Sequence, residues 1–302
     1  MPDYSALWET HTLLEGETLV CCVGPLTLRI HRKRKDWYVS HEQEMQIDDQ
    51  RCSLEILREP MNRGFEWSRW ILDEAMDCVR LEPSLPDRSI IVRPEMLMTV
   101  MPKQTVEFYI GLPLWLSISF GSAGKTAVEV PTYTLSNSWF GSFTEGELCY
   151  ALKTTARLHL AELSNSAHRV VFPLNVKNLS KETLAFERIC IRPQHLNIYQ
   201  GSERLWTGRG RVSYRGRRAG AVWSMPQARR IWAGPIKRSA TRVKPSNVVH
   251  CYVLLIILNS GWMFHDGVST QLVRPVSGNG YLLRAAAGIR AAVSAAVQLS
   301  DS

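Results

Sequence analysis

Val170-Val-Phe-Pro-Leu-Asn-Val-Lys-Asn178, Leu184-Ala-Phe-Glu-Arg-Ile-Cys190, His195-Leu-Asn-Ile-Tyr199 and Leu205-Trp-Thr207 are four short runs whose separators decide the fold class. The first gives way to Leu179-Ser-Lys-Glu182, a polar turn; Pro193-Gln194 breaks the second; Gln200-Gly-Ser202 turns the third. Short alternating runs at about eight-to-twelve-residue spacing suit an antiparallel sandwich with an immunoglobulin-like look. A parallel α/β sheet needs helical crossovers, and this stretch has none. The same period-2 alternation recurs upstream. Leu26, Leu28 and Ile30 alternate with polar residues, and Arg32-Lys-Arg-Lys-Asp36 forms a solvated hairpin connection into Trp37-Tyr-Val39. Further strands are expected over 52–57, 89–93, 105–110, 114–119 and 127–130. The one stretch here that resembles a helix is 67–79, where Trp67, Trp70, Ile71, Glu74 and Cys78 fall near one face, and its apolar face is weak. The chain is therefore expected to be mainly β. It divides into an N-terminal β-rich domain (1–125), a second β-sandwich domain (126–214) and an atypical basic tail (215–302). Trp139 and Trp206 are expected to anchor separate parts of the core.

Charge separates the tail from the rest. Residues 1–214 carry 24 Lys and Arg against 26 Asp and Glu, whereas the tail carries 12 against 2, so the net charge of +8 resides there. Arg215, Arg217, Arg218, Arg229, Arg230, Lys237 and Arg238, with Trp223 and Trp232 among them, are the residues through which nucleic acid could be met. An out-of-frame reading of a GC-rich gene would give the same Arg- and Ala-rich composition, and both readings stay open. The most apolar window, 248–264, is read as a buried strand or hairpin. It falls short of the about 20 apolar residues of a membrane span, and an interfacial or membrane segment or an exposed aggregation-prone stretch are the alternatives. A helical apolar stripe runs from Leu282 to Leu299. The N-terminus has no basic stretch followed by an apolar run, so a cytoplasmic protein is expected.

Tyr133-Thr-Leu-Ser-Asn-Ser-Trp139-Phe-Gly141 and Glu145-Gly-Glu-Leu-Cys-Tyr-Ala-Leu152, with Tyr109-Ile-Gly-Leu-Pro-Leu-Trp115, Pro173-Leu-Asn-Val-Lys-Asn178 and Arg204-Leu-Trp-Thr207, form a recognisable set. It resembles an archaeal family, the domain of unknown function numbered four hundred and thirty-two. The likeness covers about residues 1–214 and stops at the tail. It implies a β-rich fold and an archaeal source, and carries no activity, cofactor or catalytic residue with it.

Several chemical motifs fail on spacing. Gly121-Ser-Ala-Gly-Lys-Thr126 ends like a phosphate-binding loop, but position 119 is Ser119 and the chain continues as a strand, so a hairpin turn is the reading. The eight histidines include no closely spaced pair, and the seven cysteines include no Cys-x-x-Cys, so neither a metal nor a cofactor is expected. Asn178-Leu-Ser180 is a formal glycosylation sequon read as a turn.

The remaining constellation is Trp139, Phe140, Glu145, Glu147, Tyr150 and Arg157. Glu145 and Glu147 share one face of an extended segment, and neighbouring carboxylates can serve acid–base chemistry beside an apolar wall of Trp139 and Phe140. The competing reading buries the aromatics and leaves the glutamates solvated or paired with Lys153 and Arg157. Function is not legible from these residues. A non-enzymatic β-sandwich module binding a protein or small ligand is the first reading; a hydrolase or carbohydrate-active enzyme using Glu145 and Glu147 is the alternative, and membrane association is not expected.

Overall fold

Alternating sequence becomes strand along most of the chain. The computed structural model describes residues 4, 6–44, 50–72, 76–94, 97–121, 126–141, 146–153, 156–193, 196–216, 221–224 and 253–257. The strands begin with Thr10–Thr12 (β1), Thr18–Val23 (β2), Leu26–Lys33 (β3), Asp36–Gln43 (β4), Cys52–Leu57 (β5), Ser68–Ile71 (β6) and Cys78–Ser84 (β7). Then come Ile90–Arg93 (β8), Met98–Val100 (β9), Thr105–Pro113 (β10), Trp115–Phe120 (β11), Thr126–Pro131 (β12), Ser136–Phe140 (β13) and Glu147–Lys153 (β14). The last are Arg169–Asn178 (β15), Leu184–Ile191 (β16), Ile198–Gln200 (β17), Leu205–Thr207 (β18), Gly210–Tyr214 (β19), Ala221–Ser224 (β20) and Val253–Ile257 (β21). A short 3-10 turn lies at Leu160–Glu162, and no α-helix occurs among the described residues.

Four sheets result. One has the order β5-β2-β3-β4-β6 and another β1-β7-β11-β12. A third runs β13-β14-β8-β16-β21, with β9 also on β16; the fourth runs β17-β18-β15-β19-β20, with β10 along β15. All four turn apolar side chains into one continuous core, to which Leu28, Ile30, Leu81, Ile90, Val92, Phe108, Phe172, Ile189 and Val212 belong. Trp37 of β4 is fully buried and stacks on Phe120 of β11 with ring centroids 4.9 Å apart, joining two sheets. The β2–β3 connection is tight because residue 24 is glycine. Its φ is 51°, and a Cβ there would stand 2.5 Å from His168 Nδ1.

The longest ladder joins β10 to β15 antiparallel, with Phe108 opposite Leu174, Ile110 opposite Phe172 and Leu112 opposite Val170, all buried. Pro173 sits in its middle without breaking it. It faces Tyr109, whose N–H and C=O both bond Arg157 on the far side (2.8 and 2.9 Å), so no ladder bond is asked of the missing N–H. On the other side of β15, the partner changes from β18 at Val170 and Val171 to β19 at Leu174–Asn178, and Pro173 lies in the gap.

The mainly β reading holds, and the four runs 170–178, 184–190, 195–199 and 205–207 overlap β15, β16, β17 and β18 in turn. Several finer expectations are corrected. The 67–79 region is two strands, β6 and β7, because Ser68–Ile71 pairs with β4 and Cys78–Ser84 with β1 and β11. Pairing is predominantly antiparallel, as expected, with parallel pairs where β14 meets β8 and where β18 and β19 meet β15. The crossovers that parallel pairs require are supplied by strands of other sheets instead of helices. The 125/126 division is not a sheet boundary, since β8 and β10 pair with β14, β15 and β16 beyond it, within a compact unit spanning Met1–His265. Nor does strand structure stop at Tyr214, because β20 extends β19 and β21 extends β16. The 248–264 window thus contains a strand. The Leu282–Leu299 stripe and the basic positions 217, 218, 229, 230, 237 and 238 lie outside the described residues; Arg215 is described and exposed.

Asn178 closes the β15–β16 turn and is fully buried. Its amide donates to the carbonyls of Val100 (3.0 Å) and Glu182 (2.8 Å), and its Oδ1 accepts from the Ser180 N–H (3.0 Å) and hydroxyl (2.8 Å). Every polar atom of the sequon asparagine is therefore engaged inside the fold, and the turn reading is the structural one. Asn178→Ala is expected to destabilise the protein by about 2–4 kcal/mol, since it orphans polar partners on β9 and in the β15–β16 turn, with the loss read as a lower denaturant midpoint at unchanged slope.

Candidate functional site

The β13–β14 hairpin assembles the sequence-singled residues, but on two opposite faces. Trp139 pairs with Leu148 and Asn137 with Tyr150, and these side chains share one face; Phe140 pairs with Glu147 and Ser138 with Cys149 on the other. The first face continues the side of the sheet that Ile90, Val92, Ile189 and Leu152 press into the core. Tyr150 is the last ring resting against that core, with Trp115 at 6.1 Å between centroids. Beyond it the core has ended, leaving Trp139 47% and Leu148 46% exposed. The expectation of a buried Trp139 is corrected for this reason, and Trp206 is only partly buried on the short strand β18. Among the exposed large apolar side chains described, Trp139 and Leu148 are the two that face each other across a ladder, whereas the others are scattered singly.

Polar groups frame this apolar face. The Tyr150 hydroxyl donates to Asp87 Oδ1 at 2.9 Å, and the Arg88 guanidinium lies 5.5 Å from the centre of its ring. Burial, then the hydrogen bond to Asp87 and that carboxylate's charge, raise the Tyr150 pKa above its ordinary value against the opposing pull of Arg88.

The opposite face is built on β8, which lies between β14 and β16. Ile91 of β8, Phe140 of β13, Cys149 of β14 and Cys190 of β16 form a small buried cluster separate from the main core. At its margin the Glu147 Oε1 accepts from Arg192 Nη2 at 3.0 Å and from the Ser89 hydroxyl at 3.3 Å. One ligand atom from each of Glu147, Cys149 and Cys190 lies within 4.8 Å of the other two, a set that could hold a metal ion. The Cys190 thiol hydrogen-bonds to the Cys149 sulfur. That bond is the largest cause lowering the Cys149 pKa, against burial and the Glu147 charge and with help from Arg192 and Ser89. The same bond, then burial, pushes the Cys190 pKa far up.

The singled-out residues are thus dispersed more than sequence suggests. Glu147 and Phe140 share the thiol face, Trp139 and Tyr150 the apolar face, and Arg157 belongs to the sheet of β10 through its bridge to Tyr109. Glu145 lies outside the described residues. Of the two aromatics, Phe140 shares its face with Glu147 and Trp139 does not, because adjacent residues on a strand point to opposite sides.

Set against known families, residues 7–251 match the one described as "Protein of unknown function (DUF432)". The chain belongs to this family. No curated protein and no solved structure matches it. The DUF432 match continues past Tyr214 to residue 251, so the expectation that the likeness ends there is corrected, and it takes in β20. No helix among the described residues of this DUF432 chain is long and apolar enough to cross a membrane.

Sequence reasoning passed over Ser89, Cys149, Cys190 and Arg192. Cys149 was within reach, since it lies two residues from Glu147 on an alternating strand. Cys190 and Arg192 carried no such signal, because β8 brings them to β14 from a distant segment.

The two faces make opposite predictions for adjacent residues. Phe140→Ala is expected to cost about 3–4 kcal/mol through the cavity it leaves beside Ile91 and the two thiols, whereas Trp139→Ala should change stability by less than about 1 kcal/mol. Paired urea denaturation curves of the two variants check this.

Proposed function

We propose that this protein is a non-enzymatic β-sandwich binding module that takes an extended, apolar peptide segment of a partner protein on the β13–β14 hairpin. The observation that carries the reading is the exposed cross-strand pair of Trp139 and Leu148 on a terminal strand of its sheet, since β14 is the described neighbour of β13. A terminal strand is a template for an added strand, whose backbone supplies affinity while alternate side chains meet the apolar residues of the hairpin. Trp139, Leu148, Tyr150 and Trp115 give such a segment a graded surface from exposed to half-buried. Asp87 and Arg88 supply the polar rim. Large aromatic side chains of this kind supply much of the energy at protein interfaces. The six described cysteines are free thiols, which suits a reducing, cytoplasmic setting. The hydrolase reading has less support: the Glu147 carboxylate is tied to Arg192 and Ser89 on the face turned away from Trp139.

The test is selection from a phage-displayed library of linear peptides on the full chain, followed by affinity measurement. Peptides with alternating apolar residues are expected to bind. The double variant Trp139→Ser, Leu148→Ser should weaken them at least about hundredfold while keeping the wild-type thermal midpoint, as expected for two central contacts of a small interface. Failure to enrich any peptide, or peptides that bind the double variant as well as wild type, would overturn the reading.

A further inference from the structure

We propose that Glu147, Cys149 and Cys190 form a binding site for a thiophilic divalent cation of the zinc class, independent of the peptide face on the other side of the sheet. Three observations converge. The donors come from two strands that do not touch, β14 and β16, and meet across β8, with one ligand atom from each within 4.8 Å of the other two. Both thiols are buried, Cys149 fully and Cys190 at 2% exposure, beside Ile91 and Phe140. Among the described residues, both partners of the Glu147 carboxylate, Arg192 and Ser89, meet its Oε1, which leaves Oε2 as the oxygen to face an ion.

This spacing favours an ion over a disulfide. Cys149 and Cys190 lie on opposite sides of β8, so about two inter-strand spacings, roughly 9–10 Å, separate their backbones, beyond the about 7 Å that a disulfide tolerates. A tetrahedral zinc ion with Zn–S bonds of about 2.3 Å needs its two sulfurs about 3.8 Å apart, which small rotations of the side chains provide. Charge also balances. Two thiolates and one carboxylate bring three negative charges, Arg192 offsets one, and a divalent cation the other two. Binding deprotonates both thiols, so each ion taken up releases two protons to solvent. Arg192 and Ser89 act as the outer partners that orient a ligating carboxylate. Three protein donors leave the fourth tetrahedral position open to water or a small ligand.

The remaining described cysteines provide an internal comparison. Cys21, Cys22 and Cys52 lie on the neighbouring strands β2 and β5, yet their sulfurs do not converge into a comparable group among the described residues.

The experiment is Co²⁺ titration of the full chain, purified with chelator and kept reduced. Saturation at one ion per chain is expected, with a sulfur-to-cobalt charge-transfer band in the near ultraviolet and strong visible bands of tetrahedral cobalt, both displaced by Zn²⁺. The double variant Cys149→Ser, Cys190→Ser should lose the charge-transfer band. Glu147→Gln, which leaves the buried thiols in place, should keep that band while binding at least about tenfold more weakly. The double variant Cys21→Ser, Cys22→Ser should behave as wild type. Circular dichroism verifies folding of each protein, and Glu147→Gln with the Cys21, Cys22 control decides the matter if the thiol variant unfolds. No charge-transfer band, an affinity unchanged in Glu147→Gln, or a band that follows Cys21 and Cys22 instead would overturn the site. So would loss of the two thiols to a disulfide on mild oxidation without backbone rearrangement.

Discussion

The ladder between β10 and β15 is the constraint around which the rest is arranged. It pairs Thr105–Pro113 with Arg169–Asn178 over their whole length and aligns Phe108, Ile110 and Leu112 with Leu174, Phe172 and Val170 in register. A shift of one residue would turn that entire apolar set away from the core, so the register is fixed by burial. Because the two strands are about sixty residues apart in the chain, closing this ladder organises everything between them. Pro173 then sets where β15 changes partner from β18 to β19, since the one residue without an N–H sits where no neighbour requires one.

A second constraint follows from β8. It is only four residues long, yet pairs parallel with β14 on one side and antiparallel with β16 on the other. Ile90 and Val92 enter the main core and Ile91 the small cluster behind it, so β8 is buried on both faces. The two chemistries of the hairpin descend from that arrangement. On one side the sheet outruns the core and leaves Trp139 and Leu148 in solvent; on the other, soft donors from separate strands are enclosed beside a carboxylate held by Arg192 and Ser89. Adjacent residues of one strand thus belong to opposite faces of the sheet with different surroundings.

Much of the local structure was legible in the sequence, and the failures have a common origin. Leu26, Leu28 and Ile30 alternate and form a strand, Arg34-Lys35 makes the two-residue turn to Trp37, and Asn178-Leu-Ser180 is a turn; each is decided by neighbours in sequence. Trp67, Trp70, Ile71, Glu74 and Cys78 imitate a helical face. Trp70 and Ile71 lie in β6 and Cys78 in β7 because β4 pairs with the first and β1 and β11 with the second, a tertiary pull that overrides a weak local period. Trp139 reads as core by composition, but whether an aromatic is buried depends on how far the opposing layer extends.

The sequence alone determined the strand content, the turns and the charge asymmetry, because period-2 alternation, turn chemistry and side-chain charge are properties of residues close together in the chain. Tertiary structure alone decided which strands are neighbours, that β14 and β18 run parallel to their partners, and that Glu147 meets Cys149, Cys190 and Arg192 rather than Trp139 and Arg157. Those outcomes follow from pairings between distant segments, whose register is chosen by the burial of a shared core and leaves no mark in the spacing of any one strand.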